Sequence, residues 1–321
     1  RVIPKGEYIE RLALFAFTND SDDPDLDWLQ FGIPWAIDVD LAQDNWVYTA
    51  TGFAEETAGE SFFSPSHLPL ARQREIARAR LLGYLAVGSI DRIDEDLVLT
   101  TLLYDVETGS LASELRFRGP EALALVDETS LALRRELDVP SGHVDRTPDL
   151  PVSELLSSTP IAVQAFFQAS YAAGRNAAEH LRLLAAAVGT DSTFAMAQAL
   201  LGEGYIAFNQ PNEGIAAYEA ALRHAYRLSE TVRYGVKARY DRLTQQPEKA
   251  LRVARLAAEL YPADATAWDL LATLLIDRGE TDEAIDAVKR ALDLDPSSFS
   301  RVEALASLYA VMGRTEDARR T

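Results

Sequence analysis

Cysteine is absent from the 321 residues, which excludes disulfides and thiolate metal sites and leaves the redox compartment unread. No run of 18 apolar residues occurs, so the chain offers no membrane-spanning helix. Positive charge is scarce: 31 Lys and Arg stand against 50 Asp and Glu, a formal net charge of −19. A phosphate backbone needs clustered cations, so nucleic acid is not an expected partner. Phosphate-loop and dinucleotide glycine motifs are missing, as is a nucleophile elbow. The four histidines, His67, His143, His180 and His224, lie far apart without metal-ligand spacing. These absences predict no enzyme, no cofactor and no metal. The first residue is Arg1, with no signal peptide behind it, and the expectation is an excised or processed piece.

The stretch from Ala265 to Pro296 is the most informative one present. Trp268, Leu271, Ala272 and Leu275 share one face of a first predicted helix, and Gly279 ends it. Ala284, Val288 and Ala291 line a second, which Pro296 stops. This is the spacing of a tetratricopeptide repeat, a helix pair of about 34 residues that buries its apolar face only by stacking on neighbours. The same ruler recovers Leu201, Gly202, Tyr205, Gly214, Tyr218 and Ala221 in 195–228. In 231–264 it finds a weaker start, Tyr234 and Ala238, then Ala250, Ala257 and Pro262. Leu305, Ala306, Tyr309, Gly313 and Ala318 follow in 299–321, and a degenerate unit with Ala177 and Leu181 opens the series. The reading is an α-solenoid over 161–321 of about four and a half repeats.

The first part follows another grammar. After a polar lead-in over 1–10, Arg11–Phe17 is apolar on both faces, as in a strand of a covered, mainly parallel sheet. Leu26, Leu29, Ile33, Ile37 and Leu41 recur at helical spacing, with Gly32 and Pro34 expected to kink or split the helix. A strand at 46–50, a long loop with Phe53, Phe62 and Phe63, and a helix over 68–82 come next. Strands over 84–92, 97–106 and 111–118 form a meander, the last two joined by Glu107-Thr108-Gly109-Ser110. A helix to Leu137, with Leu123, Val126, Leu131 and Leu133 inward, closes a mixed α/β domain over 11–139. Four prolines mark 140–160 as a linker.

Three stretches carry a family resemblance: Leu12-Ala-Leu-Phe-Ala-Phe-Thr-Asn with the following Asp-Pro-Asp-Leu-Asp-Trp-Leu, then Leu85-Ala-Val-Gly-Ser-Ile-Asp-Arg, and Asp105-Val-Glu-Thr-Gly. They resemble the TolB-amino-terminal-like α/β domain that precedes tetratricopeptide repeats in bacterial signalling proteins. The resemblance implies a regulated kinase, cyclase or winged-helix domain elsewhere in the protein, often across a transmembrane helix. It also implies a periplasmic location if such a helix precedes Arg1, and a cytoplasmic one otherwise. Pro34 and Trp35 depart from the family's uninterrupted helix.

Candidate sites divide into sharp and bland readings. The acid run Asp20, Asp22, Asp23, Asp25, Asp27 lacks the central Gly and final Glu of a calcium loop, which favours a solvated turn with Asp23 or Asp25 as a helix cap. Arg72, Arg74, Arg78 and Arg80 read as a solvated helix face rather than an anion site. The candidate ligand groove lies on the first helices of the repeats, at Glu203, Arg239, Arg242, Asp269, Thr273 and Asp277. Their mixed charges suit a protein or peptide segment, against the plain alternative of solvated surface. The function expected is a non-catalytic sensory or interaction module, and the second reading is a structural scaffold of an envelope or filament assembly, with oligomers possible.

Overall fold

The computed structural model describes residues 10–43, 46–51, 68–140, 142, 149–173 and 176–321. Phe53, Phe62, Phe63, His67, His143, most of the lead-in and much of the proposed linker lie outside the described residues. A small sheet domain comes first and a helical solenoid follows.

The strands are β1 (Glu10–Leu14), β2 (Thr18–Asn19), β3 (Val47–Thr51), β4 (Tyr84–Ile93), β5 (Asp96–Asp105) and β6 (Leu111–Gly119). They form one sheet in the order β3-β1-β4-β5-β6, with β2 beside β4. β1 runs parallel to both β3 and β4, while β4, β5 and β6 are antiparallel neighbours. Parallel pairs need crossover helices, here α1 (Leu29–Leu41) and α2 (Leu70–Ala79). Ile76 and Ala77 of α2 pack with Ala13, Phe15, Ala50, Leu85 and Val106. Because strand side chains alternate, Leu12 and Leu14 face the opposite side, where α1 packs with α3 (Ala122–Glu136). The inward face of α3 differs from expectation. Leu125, Val126, Leu133 and Arg134 are buried, whereas Leu131 is 38% exposed.

The helix is not split at Pro34: α1 runs as one element from Leu29 to Leu41. Proline has no N–H to give the carbonyl four residues back. That carbonyl, on Gln30, instead accepts the Phe17 N–H at 2.9 Å, so the sheet side of the domain satisfies what the helix cannot. The helix is also buried nearly all round. Leu29, Ile33 and Ile37 form one buried stripe, and Trp28, Phe31, Gly32 and Trp35 form another face that meets the first repeat helices.

The helices after the sheet are α4 (Val152–Leu155), α5 (Pro160–Ala172), α6 (Ala177–Thr190), α7 (Ala195–Ala207) and α8 (Pro211–Arg223). Then come α9 (Glu230–Leu243), α10 (Pro247–Leu260), α11 (Ala265–Asp277), α12 (Thr281–Leu294), α13 (Phe299–Val311) and α14 (Thr315–Arg320). Successive helices pair as α5/α6, α7/α8, α9/α10, α11/α12 and α13/α14. Proline occupies the first turn of α5, α8 and α10, where its missing N–H costs nothing. Between the two helices of a pair stands a left-handed residue: Asn209, Gln245, Gly279 and Gly313 have φ of 58°, 60°, 73° and 72°. The last three are evenly spaced at 34 residues and the first gap is two residues longer.

The chain forms two compact units. One comprises Glu10–Ala77 and Leu82–Ser229, and the bulk of the other is Glu230–Thr321. The sheet domain therefore shares a unit with the first two helix pairs. In that unit Trp28 stacks on Phe167 (centroids 5.8 Å), Phe31 meets Tyr171 (4.7 Å), and Trp35 meets Phe166 edge-on (5.4 Å). Phe166 continues the contact to Phe194 at 4.8 Å. Gly32 makes room for this seam, since a Cβ there would lie 2.6 Å from the Phe167 ring. In the same unit Gly202 admits Tyr218, whose ring would be 2.7 Å from an added Cβ. The second unit has a core of alanine and branched aliphatics, among them Ala238, Ala250, Ala254, Leu271, Leu275, Ala284, Val288 and Leu305.

Candidate functional site

Each helix of an antiparallel pair buries one face and leaves the other open, and the outward face of the first helix is the candidate surface for a ligand. Five of the six candidate residues stand on such faces within Glu230–Thr321. Arg239 and Arg242 are on α9; Asp269, Thr273 and Asp277 follow one another every four residues along α11, and α9 and α11 pack against each other. Arg242, Thr273 and Asp277 are exposed, Arg239 and Asp269 half-buried. Glu203 is exposed on α7, in the other compact unit.

The charges on this face hold one another across the repeats. Arg242 grips Asp277 with two nitrogens, Nε to Oδ2 at 2.6 Å and Nη2 to Oδ1 at 3.3 Å. Arg301, on α13, grips Asp269 through Nε (3.0 and 3.1 Å) and Nη2 (2.8 Å), and reaches Asp295 with Nη1 at 2.7 Å. Bidentate guanidinium–carboxylate pairs fix orientation as well as distance. Burial works against the Arg301 charge, yet its bonds to Asp269 and Asp295 raise its pKa above the usual value. The Thr273 hydroxyl donates to the Asp269 carbonyl at 2.9 Å. Arg239 lies along its own helix over Gly235, where an added Cβ would sit 2.9 Å from Nη1.

Arg301 was not among the residues picked from sequence, and its signal was faint: an arginine one helix pair beyond an aspartate. Ile276, 46% exposed beside Asp277, adds an apolar member. Below this face lies another unpredicted feature. Lys237 pairs with Asp241, which is only 1% exposed, and Asp241 Oδ2 is buried without a hydrogen bond. These two positions correspond to Leu201 and Tyr205, and to Leu271 and Leu275, in neighbouring repeats. The weak start of this repeat in sequence is thus a polar pair standing where apolar residues usually pack.

The competing sites resolve into structural roles. Asp23 caps a short 3₁₀ turn at Pro24–Leu26 by accepting the Asp25 N–H at 3.0 Å, and it pairs with Arg92 at 3.2 Å. Asn19 donates to Asp27 at 2.8 Å within the same loop. Arg74 donates to the Val106 and Glu107 carbonyls, against the left-handed Gly109, and so braces the β5–β6 hairpin. Arg72 pairs with Glu75 at 3.2 Å. His180 Nδ1 lies 2.8 Å from the Ala169 carbonyl. Among the described residues no group of three or more His, Cys, Asp or Glu side chains is placed to hold a metal ion, and no helix is long and apolar enough to cross a membrane.

A family model for the tetratricopeptide repeat matches residues 265–308, the span of the site on α11 and the first part of α13. Similar solved structures include a MamA fragment from Desulfovibrio magneticus RS-1, 18% identical over 50% of this chain and 91% of that one, with a TM-score of 0.37. YrrB, described as a TPR protein with an unusual peptide-binding site, is 23% identical over 49% and 80% (TM-score 0.33). The Cut9–Hcn1 assembly gives 18% identity over 62% and 37% (TM-score 0.41). No curated protein sequence matches the chain.

Proposed function

We propose that this chain is a non-catalytic interaction module that receives a protein or peptide segment along the first-helix face of its repeats. The observation that carries the reading is the row Arg239, Arg242, Asp269, Thr273 and Asp277. It is polar, largely open, and held in fixed geometry by cross-repeat pairs on helices whose other faces are buried. Alternating signs at fixed spacing favour register and selectivity over bulk attraction. The resemblance of the sheet domain supports placing the module in a bacterial signalling protein. It supports a periplasmic position if a transmembrane helix precedes Arg1 and a cytoplasmic one otherwise, which the native upstream sequence decides.

A photo-crosslinker at Thr273 tests the groove, with one at Arg135 on the exposed side of α3 as control. The expected result is a specific adduct from Thr273 alone; equal capture at both positions removes the groove from the proposal. The exposed Phe299 (69%) and Val311 (80%) on α13 favour a second reading, a scaffold that assembles through its repeats. Light scattering that shows a concentration-dependent rise in mass supports assembly, and a constant monomer mass opposes it.

A further inference from the structure

The sheet ends on an edge that the groove does not use. Among the described residues β6 closes the strand order β3-β1-β4-β5-β6, and no strand lies beside its outer side. β6 is nine residues long, Leu111–Gly119, and contains neither proline nor lysine. Proteins commonly blunt such an edge by shortness, proline or lysine, because its outward N–H and C=O groups are a template for another strand. The two faces of β6 differ. Ser113, Leu115, Phe117 and Gly119 are half-buried toward α3, where a Cβ on Gly119 would stand 3.4 Å from the Leu125 side chain. Ala112, Glu114, Arg116 and Arg118 alternate with them and are exposed.

Three charges stand on that exposed face, in different surroundings. Arg118 is held inside the chain, by Asp96 at 2.8 Å and Asp94 at 3.2 Å. Glu114 and Arg116 lie opposite Leu102 and Thr100 of β5, so neither has a charged neighbour across the strand pair. The β5–β6 register is regular from Leu97 and Gly119 to Leu103 and Ser113, and it shifts at the next step. That irregularity bounds the regular edge, as bulges do where pairing stops.

We propose that β6 pairs antiparallel with β6 of a second copy of this chain, about a two-fold axis at Leu115, joining two sheets into one. A two-fold axis normal to the sheet keeps every residue on its own face, as antiparallel pairing requires. The centre of pairing then moves one residue at a time, and the charges choose among the centres. About Leu115, Glu114 lies opposite the copy's Arg116, and Arg116 opposite the copy's Glu114. The α3 side of the same centre sets Leu115 beside its own counterpart and Phe117 beside Ser113. About Glu114 the glutamate faces itself. About Arg116 the arginine does so, and about Phe117 it faces Arg118. Like charges directly opposite each other are destabilising, and opposite charges favourable. The edge is thus its own complement in one register, which favours a second copy over a foreign strand. Backbone hydrogen bonds and cover for Leu115 and Phe117 supply the attraction, while the two charge pairs select the register. The net charge of −19 opposes contact between copies, but charges farther apart than about 8 Å are largely screened at physiological salt.

The test is sedimentation of the full chain over a range of concentrations at about 0.15 M salt. Wild type is expected to dimerise. Arg116→Glu sets glutamates opposite one another, and Glu114→Arg does the same with arginines. Each variant alone is expected to dimerise more weakly, by a factor on the order of ten. Mixed together they are complementary at both positions, and the mixture is expected to regain dimers that hold one copy of each. Such recovery also shows that both variants are folded. Should either fail to fold, Glu114→Arg combined with Arg116→Glu in one chain decides, since it keeps the complement and is expected to dimerise as wild type does. A wild-type monomer at every concentration overturns the proposal. Dimerisation indifferent to both single changes overturns it too, since assembly through the repeats would behave in that way. Loss without recovery, in the mixture of folded variants or in the double exchange, refutes the register and the proposal with it.

Discussion

Two helix junctions in this chain solve one packing problem with opposite chemistry. Where α5 meets α1, the contact is aromatic: Trp28, Phe31 and Trp35 on one side, Phe166, Phe167 and Tyr171 on the other. Where repeat meets repeat in Glu230–Thr321, it is made of small residues such as Ala238, Ala250 and Ala254 with aliphatic neighbours. A repeat stacked on its like meets a surface of its own shape, and alanines let the helices approach closely. The opening repeat has no like neighbour before it, and it meets a helix of the sheet domain instead. Large planar side chains bury the most area across such a junction, and one glycine tunes the fit. The sheet domain thus serves as a cap on the helical array as well as whatever else it does, in keeping with the need of solenoids for terminal elements.

The largest expected effect is at the centre of the aromatic seam. Phe166→Ala removes a ring that touches Trp35, Phe167 and Phe194 and is expected to cost about 3–5 kcal/mol in denaturant unfolding. Gly32→Ala pushes a methyl toward the buried Phe167 ring and is expected to destabilise by about 1–3 kcal/mol. Wild-type stability from that variant would show that the seam has slack. The second junction is probed in the opposite direction. Replacing Lys237 and Asp241 together by leucine, as in the 265–298 repeat, exchanges a buried, imperfectly satisfied aspartate and its half-exposed lysine for apolar packing, and a gain on the order of 1 kcal/mol is expected. A loss in thermal unfolding would mean that the pair has a role in register that leucine cannot fill. The smallest effect is at Gln245, held at φ 60° where Gly279 and Gly313 stand in the later repeats. Gln245→Gly should relieve up to about 1 kcal/mol of left-handed strain, visible as a raised melting temperature.

The groove has its own internal comparison. Arg242→Asp alone sets two acids together across α9 and α11, whereas Arg242→Asp with Asp277→Arg restores a pair of reversed sense. Thermal stability is expected to recover in the double variant, while binding of a crosslinked partner does not. Recovery of both would make the pair structural only.

Much of this was legible in the sequence, for reasons that differ by element. The repeats showed through because Gly279 and Gly313 mark left-handed turns and Ala284 and Ala291 mark close helix approach, both local requirements. Asn209 and Gln245 adopt the same turn without announcing it, since neither is glycine. The strands were readable from apolar runs and from the Gly109 turn. The path of α1 was not. Pro34 obeys its local rule by losing a hydrogen bond, but the rescue of the Gln30 carbonyl comes from Phe17, on a different element. Likewise Arg242 and Asp277 could be placed on first helices from the sequence, whereas Arg301, which pairs with Asp269, needed the pitch of the stack to be known. Alternation and period reveal what an element does within itself; what reaches it from elsewhere appears only once the chain is folded.

The central structural claim is that the sheet domain and the first helix pairs stand or fall together through the aromatic seam. Native-state hydrogen exchange on Phe166→Ala tests it most directly. The account predicts that amides of β4 and β5, such as Leu85 and Leu103, lose protection by the same factor as those of α5 and α7. Loss confined to α5 and α7, with the strands as protected as in wild type, would contradict it.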